Sequence, residues 1–104
     1  MLCCQPASSN TFAVVARSLL RKLESALAFS REMGDRRGEV ADTTNLGNLF
    51  TSLGRYDEAR AHHERALQLS QDIGDPRGEG IELHNLGNVW LHLGEPERGC
   101  ELLL

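Results

Sequence analysis

Four histidines and three cysteines carry the most reactive side chains of this 104-residue chain. Ligands of one zinc ion must all lie within about 2 Å of it, and neither histidine pair permits that. His84 and His92 are eight residues apart, roughly 12 Å along a helix. His62 and His63 are neighbours that point about 100° apart on a helix, and His63 falls among apolar positions, where it reads as a packed core histidine. Cys100 has no identifiable base, and the chain lacks a phosphate-loop pattern. The expectation is therefore no metal, no cofactor and no catalytic residue, so not an enzyme. What remains is amide and hydroxyl chemistry: Asn45, Asn48, Asn85 and Asn88, with Thr44, Ser52, His84 and His92 beside them. Asparagine both donates and accepts hydrogen bonds, so rows of it can hold the backbone of a bound segment whatever its side chains.

The elements that position these residues emerge from a self-comparison at an offset of 40. Residues 23–64 laid on 63–104 give 15 identities in 42 pairs, against roughly one in sixteen by chance for ordinary composition. Glu24, Ala26, Leu27, Ser30, Gly34, Asp35, Arg37, Gly38 and Glu39 recur, and so do Asn45, Leu46, Gly47, Asn48, Leu53 and Gly54. Within each unit apolar residues recur at spacings of three and four, without strand-like alternation. Residues 37–53 read as one helix, with Thr43, Leu46, Gly47, Phe50 and Leu53 on a stripe. Residues 56–73 read as a second, carrying Tyr56, Ala59, His63, Ala66, Leu67 and Ile73. Gly54 and Arg55 leave room only for an antiparallel hairpin. Gly74-Asp75-Pro76 combines a left-handed cap, an acceptor for the next helix's free N–H groups and a first-turn proline; Gly34-Asp35 repeats that stop and start.

Ten glycines against three prolines fit the same scheme. Eight of them form four pairs at the forty-residue offset: Gly34 with Gly74 and Gly54 with Gly94 at helix ends, Gly38 with Gly78 and Gly47 with Gly87 inside helices. An interior glycine costs about 1 kcal/mol relative to alanine, so its recurrence predicts helices too close together for a side chain.

Composition excludes some classes. Eleven basic against 15 acidic residues give a net charge of −4, the wrong sign for a charge-driven nucleic-acid binder. An apolar content of 40% argues against disorder. The longest apolar run near the start, Phe12 to Ala16, is too short for a signal sequence or a membrane span. Three cysteines, two of them adjacent, do not make a disulfide framework; a cytoplasmic protein is expected, not membrane-bound. Adjacent Cys3 and Cys4 match only a weak acylation pattern, with no basic run beside them.

With these residues assembled, the chain resembles the tetratricopeptide repeat family in its forty-residue form. Leu46, Gly47, Phe50, Ala59, His63 and Ala66 meet the family's pattern, with histidine in place of the second aromatic; Leu86, Gly87 and Trp90 begin the next copy, which departs from the pattern at Gly99 and Leu103. Leu19, Leu23 and Ala26 occupy the corresponding places of an earlier second helix, while Pro6 and Ala7 stand where its Leu-Gly would be. The Leu-Gly-Asn triplets at 46–48 and 86–88 are most similar to those of the polarity adaptors named for them, of kinesin light chains and of bacterial peptide-responsive regulators. The resemblance implies an all-α solenoid of antiparallel helix-turn-helix units, about two and a half repeats. The expected organisation is a disordered segment 1–10, a partial repeat 11–35, a full repeat 36–74 and a repeat truncated in its second helix, 75–104.

If first helices line the inner surface, as the family implies, Ala41, Thr44, Asn48, Thr51 and Ser52 face the groove, followed by Ile81, His84, Asn88, Leu91 and His92. Thr44, Asn48 and Ser52 stack at i, i+4, i+8, and His84, Asn88 and His92 form a parallel row. Asn45 and Asn85, nearer the packed side, either join a ligand site or bond between repeats. The implied ligand is a protein or peptide segment. The family's lysine-rich clamp for acidic C-termini is not expected, since Thr44 replaces its first lysine. A fragment of a longer repeat array is expected; Leu102, Leu103 and Leu104 end the sequence as an apolar edge, so the alternative expectation is a self-association element of a larger enzyme or regulator, acting through exposed terminal helices.

Overall fold

The computed structural model describes residues 5–94, with side chains from residue 13 onward. Four helices follow one another: α1 (Gln5–Met33), α2 (Arg36–Ser52), α3 (Tyr56–Asp72) and α4 (Pro76–His92). Each packs on the next in sequence, giving a slab of 49 × 38 × 17 Å. The all-α repeat architecture holds, and α2 with α3 forms an antiparallel hairpin.

The expected glycine punctuation has a direct backbone counterpart. Gly34, Gly54, Gly74 and Gly94 end the four helices with φ of 68°, 77°, 67° and 85°, a region where an L side chain clashes with its own backbone. Starts are less uniform. Asp35 accepts a hydrogen bond from the Gly38 N–H at 2.9 Å, whereas Asp75 makes no side-chain cap bond and α4 begins on Pro76.

The core lies where the three antiparallel pairs meet. Leu27, Leu46, Phe50, Ala59 and Val89 are buried together, with Leu20, Leu23, Leu53, Tyr56 and Leu93 around them. Alanine at 59 and 66, both fully buried, lets α3 settle against its neighbours. Arg60 is half-buried, its guanidinium 5.5 Å from the centre of the Trp90 ring. Arg55 and Glu58 pair across one helical turn.

One boundary differs from expectation. Helix α1 is continuous from Gln5, inside the segment 1–10 expected to be disordered, and no turn divides it. Pro6 is its second residue, in the first turn, where the missing N–H has no intrahelical partner to lose. Residues 1–4 and 95–104, with Cys3, Cys4, Cys100 and the expected truncated second helix, lie outside the described residues.

Candidate functional site

The repeat junction is polar at its centre. Glu82 on α4 is 1% exposed and His63 on α3 is 1% exposed, with Nδ1 of His63 2.8 Å from Oε1 of Glu82. The other carboxylate oxygen accepts from the Thr44 hydroxyl of α2 at 2.5 Å, so one side chain joins three helices. Thr44 also bonds to the Val40 carbonyl of its own helix at 2.8 Å. The opposite edge of the His63 ring lies over Gly47: a Cβ there would stand 2.6 Å from Nε2. The interior glycine predicted to permit close packing therefore makes room for an imidazole. His63 is a core histidine, as its position among apolar residues predicted.

The preceding junction uses shorter residues. Forty positions earlier Glu82 becomes Asp42, which accepts from the Ser30 hydroxyl at 2.9 Å, and His63 becomes Leu23. Glutamate's extra methylene carries its carboxylate past the counterpart of Ser30, so the buried Ser70 hydroxyl has no partner among the described residues.

Two clefts open beside α2. One, of about 330 Å³, separates α2 from α4; Val40, Ala41 and Ile81 give it an apolar lining, Thr44 and Asn45 a polar side, and Arg37, Arg77 and Asp75 also border it. Ile81 is 49% exposed there. The second, of about 390 Å³, lies between α1 and α2 and is lined by Leu19, Leu23, Asn45, Asn48, Leu49 and Ser52. Asn45 borders both.

The predicted ligand residues divide accordingly. Thr44 lines the α2–α4 cleft, but its hydroxyl is engaged by Glu82. Asn45, Asn48 and Ser52 are exposed and gather in the α1–α2 cleft, so Thr44 is separated from the other two residues of its row, which turn toward α1. The second row is not its copy. Asn85 and Asn88 are half-buried, while His84 and His92 are exposed. His92 stacks on Tyr56 of α3, ring centres 4.7 Å apart, and its Nδ1 lies 2.9 Å from the Asn88 carbonyl oxygen. The difference follows from position. The six residues of the α1–α2 cleft correspond to Ala59, His63, Asn85, Asn88, Val89 and His92, which belong to α3 and α4 on the side where α2 packs. No described helix plays that part for α1 and α2.

Sequence reasoning missed Glu82, Arg37 and Arg77. The repetition of an acid at 42 and 82 and of arginine at 37 and 77 was a usable signal. Among the described residues no cluster of three or more histidine, cysteine or carboxylate side chains is placed to hold a metal ion, and no helix is long and apolar enough to cross a membrane.

Comparison with known proteins places this architecture. Among curated proteins no match was found. A solved structure, the crystal structure of the TPR domain of Arabidopsis FLU, superposes with a TM-score of 0.79 at 19% identity, over 97% of this chain and 87% of that one; at that identity the likeness speaks for the fold. The model of the tetratricopeptide repeat matches residues 39–98, more than half of the sequence. With paired antiparallel helices, a forty-residue period and Gly47 packed against the His63 ring of α3, the chain belongs to the tetratricopeptide repeat family.

Proposed function

We propose that the chain is a protein- or peptide-binding scaffold, without catalysis of its own, whose ligand lies in the cleft between α2 and α4. The fold is in general a protein-interaction scaffold, and the observation that carries the finer reading is Ile81. A large apolar side chain 49% exposed in the lining of an open cleft beside Val40 and Ala41 leaves apolar area in water that a bound side chain would cover. Asn45 at the edge of the cleft offers both a donor and an acceptor to a peptide backbone. Glu82 is bonded to Thr44 and His63, so the exposed Arg37 and Arg77 outnumber the half-buried Asp75 at the cleft and favour an acidic residue flanking the apolar anchor. The Leu-Gly-Asn triplets support assignment to the forty-residue form, whose members hold protein segments. Asn48 and Ser52 belong to the α1–α2 cleft and are not assigned to this ligand.

Selection of peptides from a displayed random library on the immobilised chain tests this. Enrichment of sequences with one apolar residue beside an acidic one is expected, and Ile81→Asp should abolish their binding while helix content is retained. Enriched peptides that bind the Ile81→Asp chain equally well would refute the assignment.

A further inference from the structure

Helix α1 carries an uncovered apolar stripe. Val15, Leu19, Phe29 and Met33 are 58%, 43%, 63% and 65% exposed, and exposed Lys22 and half-buried Ala26 complete the row. The steps between these six residues alternate four and three, the spacing of a coiled-coil seam, over about 27 Å of helix. Isolated surface leucines are ordinary; four exposed large apolar residues on one row, interrupted only by Lys22 and Ala26, are not.

The repeat itself shows what such a face accepts. Forty residues on, the corresponding face of α3 packs against the antiparallel helix α2. Arg55 lies 4.9 Å from the centre of the Phe50 ring, the His62 ring is 5.1 Å from it, and Ala59, Ala66 and Leu69 are no more than 3% exposed. The face on α1 is thus shaped for an antiparallel helix, and no described helix lies on it.

Helix α1 is itself such a helix. Laid antiparallel on a copy of itself, with the two-fold axis beside Glu24, the seam sets Val15 against Met33 of the second copy, Leu19 against Phe29, and Lys22 against Ala26. Each large apolar residue meets another. The one charged residue meets the smallest, which lets the lysine stem lie along the seam while its ammonium reaches water. A two-fold contact requires this kind of self-complementarity.

We propose that the chain forms a homodimer through an antiparallel α1–α1 contact. The contact uses no residue of the α2–α4 cleft, so it stands or falls separately from the peptide site.

Sedimentation equilibrium of the 104-residue chain over a wide concentration range tests it. A monomer–dimer equilibrium is expected. Leu19→Lys and Phe29→Glu should each weaken association by a factor on the order of 100, because each removes a buried apolar group twice per dimer; circular dichroism should be unchanged, since both residues are exposed. Mixing the two variants should restore dimers, with the new lysine and glutamate opposed at one end of the seam and the native Leu19–Phe29 pair kept at the other. A chain that stays monomeric would overturn the proposal and leave the stripe to a different protein's helix. Dimers indifferent to both substitutions, or variants that fail to associate when mixed, would equally overturn it.

Discussion

The imidazole of His63 occupies the volume that a side chain at Gly47 would need, with Nε2 2.6 Å from the place of the absent Cβ. That single contact couples the Leu-Gly pair of α2 to the second helix of the hairpin. The glycine's cost in helix propensity, about 1 kcal/mol, is thereby offset by burial of the ring against the backbone.

Gly47→Ala should therefore destabilise the chain by about 2 kcal/mol or more despite alanine's better propensity, because a buried ring with partners on its other edge cannot simply withdraw. Gly80→Ala should do the opposite. A Cβ there meets nothing within 4 Å, so the gain should be about 0.5–1 kcal/mol. Paired urea titrations of the two variants decide the matter by the sign of the midpoint shift.

The buried His63–Glu82 pair should show strong coupling. Removing either partner alone leaves a buried polar group unsatisfied, which costs about 3 kcal/mol when the group is charged, while removing both avoids that penalty. A double-mutant cycle with His63→Phe and Glu82→Leu should give a coupling energy above about 1 kcal/mol. Additive losses would show that the two side chains do not depend on each other.

Ser30 and Ser70 are forty residues apart and should respond differently to the same change. Ser30 donates to Asp42 at 2.9 Å, so Ser30→Ala should cost about 1 kcal/mol. The buried Ser70 hydroxyl lacks a partner among the described residues, so Ser70→Ala should be neutral or stabilising. Thermal unfolding of the two variants side by side checks this, and equal losses would contradict the difference drawn between the two junctions.

Much of the frame was legible in the chain because repetition amplifies weak local signals. Gly34, Gly54 and Gly74 each suggest a helix end; at a fixed period with the expected Asp or hairpin beside them they define one. His63 was placed in the core by the apolar company it keeps at spacings of three and four. Residues whose surroundings depend on the neighbouring repeat were harder. An acidic residue in a polar-looking helix reads as solvated, and nothing local at Glu82 shows that Thr44 and His63 converge on it from two other helices. Asn48 and Asn88 are identical in their local triplets, yet one is exposed and the other half-covered, because among the described helices only α4 has an earlier first helix, α2, on that side. Arg60 likewise carries no local sign of its burial, since the Trp90 ring beside it is thirty residues away in sequence.

The central claim is that the α2–α4 cleft holds the ligand, and amide chemical-shift mapping with a library-selected peptide tests it most directly. Shifts should concentrate on Val40, Ala41, Asn45, Gly78 and Ile81, and Ala41→Trp, which fills the cleft from an exposed position, should remove them without changing the dispersion of the remaining spectrum. Shifts confined to α1 and the Asn48–Ser52 side of α2, persisting in the Ala41→Trp chain, would contradict it.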